Sequence, residues 1–155
     1  MTPAELQHLL IMHAPDVPGI TAAARRDDEN PYGLTVTLAG GGRAWWTIIG
    51  ASPAGAAPGS GPPGADPVAV PAPDLTGRPV PVAQVEQALI ATAVAQAGDQ
   101  IRGIDRYSSR PDPPAVRYGA TIGFRDGWKI FLSCYGTTRP GQPRPDQPYH
   151  PSSHV

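Results

Sequence analysis

Four histidines, one cysteine and a run of three carboxylates are the side chains best equipped for metal binding or catalysis in this sequence, and their spacing argues against both. His8 and His13 are five apart, so a helix does not bring them onto one face, and no cysteine stands nearby to complete a tetrahedral set. His150 and His154 fall in a proline-rich stretch that does not fix ligand geometry by itself. Cys134 alternates inward with Ile130 and Leu132, and a buried thiol without an adjacent base is inert. Asp27, Asp28 and Glu29 sit together at a strand end, the usual place of a solvated turn, whereas an acid–base pair needs one carboxylate against an apolar wall. Gly40-Gly41-Gly42 joins two strands with no helix after it to lend an N-terminus to a phosphate. The expectation is a non-enzymatic protein with no catalytic residue, no metal and no cofactor.

Binding chemistry is better represented. Strand alternation puts Arg117 and Thr121 on one face beside Lys129, Phe131 and Tyr135, with Arg102 or Arg106 extending the row. In the first half of the chain, Arg43 and Trp45 share the face opposite Trp46 and Ile48. One of two adjacent tryptophans must leave the helix-covered core, so something else has to cover it. Arginine and aromatic residues together describe protein-binding surfaces, and they also suit single-stranded nucleic acid, where rings stack on bases and cations meet phosphates. The same face also fits the wet side of an ordinary sheet. The expected partner is another protein or a second copy of this chain, through Arg43, Trp45, Arg102, Arg117, Lys129, Phe131 and Tyr135. The alternative is a nucleic-acid-binding accessory or regulatory protein.

The elements that position these residues are legible from turn chemistry and periodicity. Ala115 to Thr138 reads as two strands folded back at Arg125-Asp126-Gly127, because Asp-Gly between two β-rich runs is a strong hairpin signal. Tyr32 to Ser52 reads as a second hairpin around the triple glycine. Thr2-Pro3-Ala4-Glu5 is a capping box with proline at the first helical position, and Leu6, Leu9, Leu10 and His13 follow on one stripe until Pro15. Val82 to Ala97 is a second helix, with Val82, Val85, Leu89 and Ala93 as its stripe and Gly98 as its stop. Ile20 to Arg26, with Ile20, Ala22 and Ala24 on one face, and Ile101 to Tyr107 are the remaining strands.

Each block, 1–52 and 82–138, therefore runs helix, strand, strand, strand. The expected fold is α+β: two α-β-β-β units, an internal duplication, forming one antiparallel sheet of about six strands with two helices on one face. A lone unit of this kind is small for independent stability. The chain holds 21 Pro and 18 Gly, concentrated in a Pro/Gly-rich linker over 53–81 and in a tail over 139–155 that reads as disordered and contains a Pro145-x-x-Pro148 spacing.

Twelve basic against 13 acidic residues leave no global field to attract nucleic acid or an anionic membrane. A single cysteine, no basic-then-apolar leader and no bilayer-length apolar run predict a soluble cytoplasmic protein. Richness in Ala, Gly, Pro and Arg is what a GC-rich bacterial genome of actinobacterial type produces. The pattern Gly127-Trp128 with Phe131 and Ser133, on a strand following a helix-led unit, resembles small bacterial immunity proteins of the YrhB-like kind over that helix and strand. The resemblance implies a protein-binding, inhibitor-like role.

Overall fold

Thr2 caps the first helix, α1 (Pro3–His13), as its residue types demand: its hydroxyl accepts from the Glu5 amide at 3.3 Å, and the Glu5 carboxylate accepts from the Thr2 amide at 2.7 Å. The computed structural model describes residues 1–26, 31–52, 69–112, 114–144 and 147–155. The acidic run 27–29, most of the spacer (53–68) and the start of the PxxP spacing lie outside the described residues. Six strands follow the order of the sequence: β1 (Ile20–Arg25), β2 (Gly33–Leu38) and β3 (Arg43–Ala51), then the second helix α2 (Val82–Ala97), then β4 (Ile101–Arg106), β5 (Gly119–Phe124) and β6 (Lys129–Thr138). They form one antiparallel sheet in the order β1-β2-β3-β6-β5-β4, so the two halves mirror each other across the β3–β6 seam.

Both hairpins turn where glycine supplies a positive φ, at Gly41 (+82°) and Gly127 (+87°). The second turn is reinforced by Asp126, whose Oδ1 accepts from the Trp128 amide at 3.1 Å. The two helices touch each other over one side of the sheet. There Leu6 and Leu10 from α1 and Val82, Val85 and Leu89 from α2 join Val36, Trp46, Ile122 and Leu132 in a single buried cluster. This is the α+β arrangement the sequence predicts.

Several details differ from the sequence reading. A bulge after Ile20 shifts the register of β1, so that Ile20 pairs with Leu38 while Ala22 pairs with Thr37. Ala23, rather than Ala22 and Ala24, then packs on the core, because one extra residue inverts the alternation of everything after it. The strand expected from Val116 begins only at Gly119, which leaves Arg117 in the preceding loop. Helix α2 buries far more than one stripe: the six residues from Ala88 to Ala93 are all buried.

Part of the proline-rich material is itself anchored. Leu75 is 2 % exposed and its amide donates to the Pro18 carbonyl at 2.9 Å, while the Gln87 side chain donates to the Pro71 carbonyl, also at 2.9 Å. The tail, which reads from sequence as disordered, is held instead at its described residues. The Tyr149 amide donates to the Tyr135 carbonyl at 2.7 Å, and Val155 exchanges backbone hydrogen bonds with Val80 at the entrance to α2. Isolated large side chains serve as anchors here, and periodicity has no means of revealing them.

Candidate functional site

The sheet face away from the helices is where the expected recognition residues fall, and the structure divides it in two. Cross-strand pairing fixes the rows: Thr47 faces Ser133, Ile49 faces Phe131, and Phe131 in turn faces Thr121.

One half of the face is closed. Trp46 is fully buried on the helix side, so Trp45 points to this face, yet only 8 % of it is exposed. Tyr135 occupies a bulge in β6, between the Trp45–Gly136 and Trp46–Cys134 pairs, and it is half-buried. The guanidinium carbons of Arg26 and Arg144 lie 4.3 and 4.6 Å from its ring centroid, and the Tyr149 ring meets it edge-on at 5.6 Å. The Tyr149 hydroxyl lies 3.5 Å from that of fully buried Thr47. The chain's own tail thus covers part of the surface that the sequence assigns to a partner: Trp45 is buried, and Tyr135 is engaged by Arg26, Arg144 and Tyr149.

The other half is open. Ile49 is 52 % exposed, one of two large apolar side chains so placed among the described residues. Its cross-strand neighbour Phe131 is half-buried, and Lys129 at the start of β6 is exposed. At the end of β3, on the helix side of the sheet, a groove of about 630 Å³ runs between the start of α1 and the β5–β6 turn, lined by Pro3, Tyr32, Ile48, Gly50 and Trp128, with Ile49 at its rim. On the far side of Trp128 a second cleft of about 370 Å³ carries Arg102, Gly103, Gly123 and Lys129. Trp128 is a wall common to both.

Of the seven residues expected to form one site, the structure therefore gathers Arg102, Lys129 and Phe131. Arg43 is exposed at the opposite end of β3, six residues or about 20 Å from Ile49. Arg117 lines a separate cleft of about 320 Å³ with Tyr107, Ser108, Arg110 and Tyr118. Arg106, the other candidate for the row, turns to the helix side. Its Nε donates to the Glu86 carboxylate at 3.0 Å, because Glu86 is fully buried in α2 and demands a countercharge. Glu86 also accepts from the Ser108 hydroxyl and the Gly119 amide, each at 2.6 Å. Ile49 and Trp128 are the functional candidates the sequence reading passed over. Strand parity alone places Ile49 with Trp45 and Thr47.

Burial pushes the Cys134 thiol up to about 12, far from a nucleophile's range. Among the described residues, no three His, Cys, Asp or Glu side chains gather as a metal-binding group, and no helix is long and apolar enough to cross a membrane. Compared with protein-family models, curated proteins and solved structures, the chain matches none of them.

Proposed function

We propose that this chain is a soluble, cytoplasmic, non-enzymatic binding protein whose partner is another protein, and that the open half of the sheet face is the contact surface. The observation that carries this reading is the Ile49–Phe131 pair. A large aliphatic side chain left 52 % exposed beside a half-buried aromatic one loses free energy in water unless a second surface covers it. Aromatic anchors with a basic rim are also the composition of protein-binding hot spots. The single buried thiol suits a reducing compartment.

The test uses a photo-crosslinking amino acid placed at position 49, and separately at exposed Gln84 on α2 as a control. In the native cell, position 49 yields one or a few discrete protein adducts that position 84 does not. Adducts equal at both positions, or none at position 49, refute the assignment. Light scattering of the purified chain separates self-association from a foreign partner.

A further inference from the structure

The partner's chemistry follows from what surrounds the open face. Lys129 and Arg102 flank the cleft beside Trp128, and among the described residues neither enters an ion pair. Two neighbouring carboxylates are already engaged. Asp105 is held by the Arg110 guanidinium, and Asp126 by the Met1 ammonium and the Trp128 amide. Closing a neutral surface over these two cations strips their hydration without replacing it, and a basic surface adds repulsion. An acidic surface repays the desolvation. On the same face the exposed Ile49 and its neighbour Phe131 call for an apolar group.

We propose that the partner presents an acidic segment with a large apolar side chain, which packs on the Ile49–Phe131 pair while neighbouring carboxylates meet Lys129 and Arg102. This rests on the protein-binding reading above. Single-stranded nucleic acid also brings negative charge, but a backbone of successive phosphates needs a longer basic track than two cations beside one apolar pair. The glycines of the cleft are consistent with an external occupant. Gly103 and Gly123 face each other across β4 and β5, and a Cβ added to Gly103 meets nothing within 4 Å, one on Gly123 only the Gly103 carbonyl at 3.8 Å. Glycine inside a strand weakens it, and packing within the described chain requires it at neither position. At Gly50, by contrast, a Cβ would come 2.4 Å from Pro3.

The experiment selects displayed random peptides of about twelve residues on the immobilised full-length chain, then titrates the enriched peptides by fluorescence anisotropy against wild type and variants. Net-acidic peptides with one large apolar residue are expected to be enriched. Arg102→Glu with Lys129→Glu weakens them at least roughly tenfold, and added salt weakens them progressively. Gly123→Val fills the cleft and weakens them similarly without lowering the melting temperature, since a β-branched residue suits a strand. Enrichment of neutral or basic peptides, no enrichment, or indifference to charge reversal overturns the proposal. Peptides lost on Ile49→Asp but unaffected by charge reversal remove the acidic partner and leave the protein-binding face standing. Peptides indifferent to every variant count against both. Oligothymidylate binding more tightly than any peptide, with affinity abolished by the same charge reversal, replaces the acidic segment by nucleic acid.

Discussion

Glu86 is the residue whose removal tests the packing of the second half most directly. Its carboxylate is fully buried in α2 and takes three donors: Gly119 N at 2.6 Å, Ser108 Oγ at 2.6 Å and Arg106 Nε at 3.0 Å. Through them it ties the helix to the start of β5, to the turn after β4 and to the end of β4 itself. Glu86→Ala orphans a buried amide, which costs about 1–3 kcal/mol, and leaves a small cavity worth about 1 kcal/mol more. Arg106 is 25 % exposed and keeps the Ala83 carbonyl at 3.2 Å, so its loss is below that of a fully buried pair. It and Ser108 together add about 1–2 kcal/mol. The sum is about 3–6 kcal/mol. With a urea slope of about 2 kcal/mol/M, the unfolding midpoint read by tryptophan fluorescence falls by about 1.5–3 M. In an Arg106→Met background the same substitution costs less, because the carboxylate it removes is by then an uncompensated charge. A loss below about 1 kcal/mol, or equal losses in both backgrounds, refutes the idea that this network organises the second half.

Two further outcomes follow from burial. Leu75→Ala lowers stability by about 2–4 kcal/mol in the same urea assay, as for a core leucine and unlike a residue in a free spacer; a change within about 0.5 kcal/mol removes Leu75 from the core. The Cys134 thiol stays unmodified by a thiol reagent at neutral pH until the chain is unfolded. Because its folded value is raised from about 9 to about 12, the unfolded chain ionises first as pH climbs. Stability is then full below that window and is lost through it, a loss that Cys134→Ala removes; prompt labelling of the folded chain or an unchanged alkaline profile contradicts this.

The sheet and both helices were legible because their signals are local and mutually consistent. The capping box at Thr2, the Asp126-Gly127 turn and the Pro81 and Gly98 limits of α2 all fall where the structure has them. The pairing of the halves followed from a size argument. What escaped the sequence reading depends on single residues acting at a distance. The bulges after Ile20 and at Tyr135 leave no compositional trace, yet each resets which side chains share a face. Buried Glu86 is the one charged residue of α2, but its partners lie 20 to 33 residues later. The recognition face came apart for the same reason: alternation listed its members, while the tail anchored through Tyr149 decided which remain accessible.

The mirrored strand order has a consequence for biosynthesis. The central seam joins β3 to the last strand, with Ala51 opposite Lys129, so nearly eighty residues must leave the ribosome before the first half finds its neighbour. Until then β3 is an unpaired edge bearing Trp46 and Ile48, an invitation to intermolecular strand pairing. Closing contacts of such long sequence separation is slow, and folding of the two halves is coupled rather than sequential. A nascent chain stalled before β6 is therefore the species most in need of a chaperone's protection.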